Sequence, residues 1–310
     1  MSTTASVVPI EPHGEPPQII APDAQTIFAL RAQRFETLAE GHSLGDWLRF
    51  LAAITRAQHQ ALQALPALAL PDAGEQERAH QHHMPLLPVQ TWPRDPLWHL
   101  SLRQIAAAIA EFAPEPARQD LARLSTYGSE RLEALAERVL LSEYSGEDLA
   151  LLPYVGAALQ VLWTAGASRL GADAIAALDV PGVCPCCGFL PVASVVRLGG
   201  DVDNMRYLHC ALCNCEWNLV RVKCSSCDAT EGIAYCHLEA EGLVEAAAVR
   251  AETCDSCKSY LKICYSEKSV ADPVADDLAS LALDILVDEA GYSRSGPNLL
   301  LVPNSPETMT

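Results

Sequence analysis

The sequence predicts an α+β multidomain chain: an N-terminal all-α helical domain, then two small rubredoxin-like or zinc-ribbon-like metal-binding modules, then a C-terminal helix. Three observations predict it. Apolar residues recur at helical spacing through the first half of the 310 residues, all 12 cysteines fall between Cys184 and Cys264, and a capped helical pattern returns after Ala271. The expected organisation is a flexible N-terminus at 1–22, a helical domain at 23–180, a tandem metal-binding region at 181–270 (about 181–221 and 222–270), and a C-terminal helix with its tail at 271–310.

Met1 to Pro22 is polar and proline-containing, with no Lys or Arg and no apolar core segment, so it reads as neither a secretory signal nor a membrane anchor. Ser43 and Asp46 resemble a capping box ahead of Trp47, Leu48, Leu51 and Ile54. Asp95-Pro96 supplies an N-cap and a first-turn proline. Trp98, Leu102, Ile105, Ile109 and Phe112 follow as one apolar stripe, and Pro114 ends it. Further stripes run through Leu132, Leu135 and Leu140. The most apolar run, Leu149 to Ala167, carries Pro153, Gln160 and several Ala and Gly, which suits a helix buried among helices better than one facing lipid. His80, His82 and His83 lie in a polar segment and read as a solvated helix end or loop.

Composition changes at Pro181-Gly182: all four lysines and all 12 cysteines lie beyond it. Alternating or β-branched runs at Val192–Leu198, Met205–Cys210, Trp217–Lys223, Val244–Glu252 and Tyr260–Tyr265 predict short strands, with a turn at Gly199-Gly200-Asp201. Asp272-Pro273 then opens a helix with Val274, Leu278, Leu281 and Ile285 on one face and Gly291 as its stop; Pro303 to Thr310 is expected to fray.

The chemistry lies in four Cys-x-x-Cys pairs, Cys184/Cys187, Cys210/Cys213, Cys224/Cys227 and Cys254/Cys257. Two thiolates three residues apart grip one edge of a metal ion, and two such turns complete a tetrahedral four-sulfur cage, so eight paired thiols predict two ions. Disulfide frameworks belong to small secreted domains, and thioredoxin-like chemistry needs one pair on a βαβ frame. Both iron and zinc accept four sulfurs. The first knuckle, Cys184-Pro185-Cys186-Cys187-Gly188, has the glycine that lets backbone N–H groups turn toward sulfur, whereas Asn214, Asp228 and Lys258 follow the other three pairs. Sequential pairing of the knuckles leaves 22 and 26 residues for strands, and a nested pairing of the inner two is the alternative. Cys186, Cys215, Cys236 and Cys264 stand outside the pairs. They read as small buried hydrophobes, although Cys186 and Cys215 lie close enough to the knuckles to be alternative or reactive thiols. His209 and His237 adjoin cysteines but read as strand residues.

A net charge of −18 opposes nucleic-acid binding, and even residues 181–270 carry 8 Lys/Arg against 11 Asp/Glu. Reduced thiols without an export signal point to the cytoplasm. The sequence carries no Gly-rich phosphate loop, no Gly-x-Ser-x-Gly and no His-Glu-x-x-His. A cage with all four ligands from protein has no open position for a substrate water. The chain therefore reads as a binding protein and not an enzyme.

The helical first half, the Cys184-Pro-Cys-Cys187-Gly opening, the segment from Arg250 through Glu252, Cys254, Cys257 and Tyr260 to Lys262, and the close from Asp272 through Asp276-Asp277 to Gly291-Tyr292 together resemble the formate dehydrogenase accessory protein family, FdhE. The resemblance spans most of the chain and is most specific in the cysteine region. It implies a cytoplasmic, chaperone-like maturation factor that binds the catalytic subunit of a respiratory molybdenum-dependent formate dehydrogenase. It also implies that the eight paired cysteines hold two iron ions, with zinc the alternative. Arg250, Glu252, Tyr260 and Lys262 become motif positions, as partner contacts or as supports around the last knuckle.

Overall fold

Apolar residues that step by three and four along the first half cannot all stay hydrated, and burying their stripes against one another builds a helical layer. The computed structural model describes residues 16–198, 204–238, 248–267 and 271–302. In chain order its α-helices are α1 (Ile27–Ala39), α2 (Gly45–Ala64), α3 (Ala73–Gln81), α4 (Leu97–Ile109), α5 (Glu115–Ser125), α6 (Ser129–Leu140), α7 (Leu152–Leu170), α8 (Pro273–Ala279) and α9 (Leu281–Glu289).

Helix α7 is the axis of this layer: its most apolar window is 83 % buried inside the molecule, with α2, α4 and α6 packed on it. Its length and composition would also suit a membrane span, but here protein covers it. Gln160, the polar residue in its middle, accepts from Gln58 Nε2 (2.8 Å) and donates to the Ala211 carbonyl (2.7 Å). Trp98, Leu102, Ile105 and Ile109 of α4 are buried as their stripe predicts, and the Asp95 carboxylate accepts from the Leu97 N–H at 3.0 Å. Phe112 differs: α4 ends at Ile109, so Phe112 falls past the last helical turn and is 67 % exposed. Ser43 and Asp46 also differ from expectation. Helix α2 starts at Gly45 without a side-chain cap, and Asp46 instead pairs with Arg49. The reciprocal capping box lies on α3, between Asp72 and Glu75.

In the second half the strands of the two knuckle modules join in one sheet. Its strands are β1 (Ile19–Ile20), β2 (Pro191–Leu198), β3 (Met205–Cys210), β4 (Glu216–Asn218), β5 (Ile233–Cys236), β6 (Val249–Cys254), β7 (Ser259–Glu267) and β8 (Ser293–Arg294). The order is β1-β4-β3-β2-β7-β6-β5, with β8 beside β7. Neighbours are antiparallel except that β8 runs parallel to β7 and that, at the centre, β2 runs parallel to β7 from Ser194↔Ile263 to Leu198↔Glu267 and joins the two knuckle hairpins. Val192 to Val196 are buried consecutively, as a strand covered on both faces requires. Strand β1 lies within the stretch expected to be loose. Ile19 and Ile20 pair with Trp217 and Glu216, and the Pro17 carbonyl accepts from the Tyr207 hydroxyl at 2.9 Å. The expected turn at Gly199 to Asp201 and the tail from Pro303 lie outside the described residues, as does the start of the strand expected from Val244.

The C-terminal pattern is cut into two helices at Ser280. Asp272 caps α8 by accepting from the Val274 and Ala275 N–H groups (3.0 and 2.9 Å). Val274 and Leu278 are buried as expected. The break re-aims α9, so Leu283 and Val287 face inward while Ile285 is 60 % exposed. The chain then returns across α7. A Cβ at Gly156 would stand 2.7 Å from the Leu299 carbonyl oxygen, so this crossing needs glycine.

Candidate metal centres

Each Cys-x-x-Cys turn is built the same way. The residue after the second cysteine takes a left-handed backbone in all four, with φ of 74° at Gly188, 60° at Asn214, 64° at Asp228 and 54° at Lys258. The N–H of Gly188, Asp228 and Lys258 donates to the carbonyl of the first cysteine of its turn, at 2.7, 3.2 and 2.9 Å. The first cysteine's N–H donates five residues ahead, Cys184 to Phe189, Cys210 to Cys215 and Cys224 to Ala229. All four knuckles therefore share this backbone, although only the first carries the glycine. Asn and Asp enter this backbone region readily because a short polar side chain is tolerated there, and Lys258 enters it at some cost.

The turns bring the sulfurs together in sequential pairs. Cys184, Cys187, Cys210 and Cys213 form one group and Cys224, Cys227, Cys254 and Cys257 the other, each with its sulfurs within 4.8 Å of one another. Facing sulfurs are 3.4 Å apart for Cys184–Cys213, 3.5 Å for Cys187–Cys210, 3.7 Å for Cys224–Cys257 and 3.6 Å for Cys227–Cys254. A tetrahedron with metal–sulfur arms of ~2.3 Å has edges of about 3.8 Å, whereas a disulfide holds its sulfurs at ~2.05 Å. Backbone N–H groups also point at sulfur: Leu212 and Cys213 donate to Cys210 Sγ, and Ser226 to Cys224 Sγ, each at 3.4 Å. That donor set fits a thiophilic ion such as zinc or iron in each group.

The two groups differ in their surroundings. All four sulfur-bearing residues of the first are buried in the core that contains α7, whereas Cys227 and Cys257 of the second are exposed. Burial pushes the Cys184 thiol up, yet hydrogen bonds with Cys187 and Cys210 bring it to about 6. Burial likewise raises Cys187, and bonding from its neighbours carries it well above the ordinary thiol range. At Cys257, burial is outweighed by hydrogen bonds from Ser259, and the thiol falls to about 7.

A buried polar chain ties the first group to the helices. The Arg31 guanidinium of α1 donates through Nε to both Asp272 oxygens (2.9 Å) and through Nη2 to Asn214 Oδ1 (2.8 Å). Asn214 in turn donates to Thr164 Oγ1 on α7 at 2.8 Å, and His209 contacts Asn214 and Glu216 at 3.1 Å each. Burial pushes the Glu216 carboxyl up, but His209 and Arg197 hold it below the ordinary value. Sequence reasoning missed this chain. Its signals were Gln160 and Thr164 inside an apolar helix and Asn214 in the position of a left-handed residue.

The remaining expectations sort by burial. Cys264 is buried, and Cys236 and His237 are exposed on or just after β5. His80 contacts the Ala174 carbonyl and His83 approaches Asp179, so that segment packs against the linker; among the described residues it joins no metal-ligand group.

Models of one family cover nearly the whole chain: FdhE N-terminal over residues 16–179, FdhE central domain over 183–221, and FdhE C-terminal domain over 222–301. The chain belongs to the FdhE family. The Protein FdhE homolog of Pseudomonas aeruginosa is 40 % identical over 290 residues, covering 93 % of this chain and 94 % of its own. That of Edwardsiella ictaluri is 42 % identical over 306 residues, covering 97 % and 95 %. The crystal structure of the FdhE protein from Pseudomonas aeruginosa superposes with a TM-score of 0.81 at 38 % identity, covering 93 % of this chain and all of that one.

Of the four positions the resemblance singles out around the last knuckle, Glu252, Tyr260 and Lys262 are buried and Arg250 is half-buried. Glu252 accepts from Arg206 (2.7 Å) and from the Tyr235 hydroxyl (2.9 Å). Tyr260 donates to Asp284 at 2.8 Å, and Lys262 donates to the Asp277 carbonyl at 2.8 Å. Tyr260 and Lys262 thus fasten α8 and α9 to β7 and do not cover the metal group, while Arg250 stacks 4.8 Å over the Tyr265 ring.

Proposed function

We propose that this FdhE-family chain is a cytoplasmic, non-catalytic accessory factor for the maturation of a respiratory molybdenum-dependent formate dehydrogenase. In this reading it binds that enzyme's catalytic subunit and carries one iron ion in each four-cysteine group. The observation that carries the reading is the pair of four-sulfur groups within a chain matched by the FdhE models along nearly its whole length. Cys184, Cys187, Cys210 and Cys213 would hold one ion, and Cys224, Cys227, Cys254 and Cys257 the other.

A tetrathiolate ion supplies structural cross-linking or one-electron redox capacity and, with its four positions filled by protein, no place for a substrate water. The residues themselves have separate tasks. Gly188, Asn214, Asp228 and Lys258 close the turns, Gln160 and Thr164 seat the second turn on α7, and Arg31 neutralises Asp272 across the junction. Thiolate cages need a reducing compartment, which supports a cytoplasmic setting. The acidic surface disfavours nucleic acid as the partner.

The exposure of Cys227 and Cys257 favours a second reading, in which the outer site exchanges electrons during cofactor maturation. Pull-down of a formate dehydrogenase catalytic subunit by iron-loaded and zinc-substituted protein separates the two. Capture by both metal forms supports the accessory role, and capture lost on zinc substitution supports electron transfer. Failure of both forms to capture the subunit contradicts the proposal.

A further inference from the structure

Six cysteines crowd the inner centre, two more than one tetrahedral cage uses. Cys186 sits inside the first knuckle and Cys215 two residues beyond the second, and the sulfurs of Cys186, Cys213 and Cys215 lie within 4.8 Å of one another. All three residues are 0 % exposed. Their backbones are held from both sides: the Cys186 carbonyl accepts from the Leu87 N–H at 2.8 Å and the Cys215 carbonyl from the Cys210 N–H at 2.9 Å. Cys213 belongs to the four-sulfur group as well, 3.4 Å from Cys184.

We propose that Cys186, Cys213 and Cys215 form a third metal site, a trithiolate for a soft monovalent d10 cation of the Cu(I) type, joined to the inner cage through the sulfur of Cys213. A thiolate sulfur has more than one lone pair and can bridge two ions. The donor set selects the class of ion: it contains three sulfurs and no His or carboxylate. Zinc in a closed site takes four protein ligands, and calcium and magnesium take oxygen, whereas soft thiolates select Cu(I). Full burial denies the site a water as fourth ligand. Binding is not a redox step. Cys213 already serves the cage as a thiolate, so uptake of one Cu(I) releases two protons, one each from Cys186 and Cys215, and changes the net charge by −1.

This inference rests on the two-cage reading above, and one experiment separates the two. Full-length zinc-loaded chain, handled anaerobically, is weighed by native mass spectrometry before and after one equivalent of Cu(I). Two zinc ions per chain beforehand uphold the cages, and any other count contradicts them without reference to copper. After copper, the wild-type chain is expected to carry two zinc ions and one copper ion. A C186S/C215S chain that keeps its two zinc ions is expected to add no copper. Copper entering wild type only in exchange for zinc overturns the third site, as does equal uptake by the double variant. If the double variant does not retain zinc, the wild-type exchange result decides alone, with C215S as the milder second variant.

Discussion

Lys258 and Asn214 occupy equivalent left-handed positions and should respond oppositely to glycine. Lys258 is exposed, and its ammonium bonds Asp255 at 2.6 Å and lies 5.1 Å over the Tyr292 ring, both surface contacts of small worth, so Lys258→Gly relieves backbone strain at little loss. It is expected to raise the urea midpoint of the metal-loaded protein. Asn214→Gly keeps the backbone but removes the buried bonds to Arg31 and Thr164, and is expected to destabilise by about 1–3 kcal/mol. Equal effects of the two changes would contradict the assigned roles. At this scale the spacing of the cysteines was legible because ligand geometry is local. The backbone of the last three turns was not, since Asn, Asp and Lys mark a left-handed position far more weakly than Gly does.

At the scale of elements, the C-terminal helices are fixed to the sheet by a buried ion cluster. Asp277 accepts from Arg294 (2.6 Å) and Asn298 (2.8 Å), and Lys262 reaches its carboxylate at 3.3 Å. Asp277→Asn leaves two cations under-compensated and is expected to cost about 3–5 kcal/mol. Burial pushes the Asp277 carboxyl up, but Arg294 and Lys262 outweigh it and hold it below the ordinary value of 3.8. Because the folded value is the depressed one, this stabilisation is present above pH 3.8 and is lost as pH falls through the folded value. The stability gap between wild type and D277N, followed by urea midpoints, should therefore narrow as the solution is acidified below that point. A constant gap would contradict the assignment. The Asp272-Pro273 cap was readable from two adjacent residues. The break at Ser280 was not: the Ser280 hydroxyl donates back to the Asp276 carbonyl four residues earlier at 2.8 Å, a bond a mid-helix serine need not make, and the Ser280 carbonyl accepts from Lys262 of β7 at 3.1 Å, a tertiary contact.

At the scale of the whole molecule, the parallel β2–β7 contact turns two knuckle hairpins into one sheet, and the inner cysteines share the hydrophobic core of the helices. Loss of metal from the inner group should therefore loosen the helical half too, rather than unfold one ribbon alone. Chelation is expected to lower hydrogen-exchange protection in α7 along with β2 and β3, whereas Cys254→Ser, at the outer group, should leave α7 protected. Protection of α7 that ignores chelation would contradict this coupling. Helical stripes and cysteine spacing made the layers legible, since both are patterns of near neighbours. Strand partners 69 residues apart gave no such signal, as the pairing of Val195 with Cys264 illustrates; nor did β5 and β8, which are short.

The most direct test is the metal content of anaerobically purified full-length protein, together with its visible absorption and that of Cys254→Ser and Cys210→Ser variants. Two tightly held thiophilic ions per wild-type chain, with the red absorption of ferric tetrathiolate, are expected. Cys254→Ser should retain one ion and a folded helical half, and Cys210→Ser should lose the inner ion and destabilise both halves. A fully folded chain without metal, or one whose paired cysteines are joined as disulfides, would contradict the account.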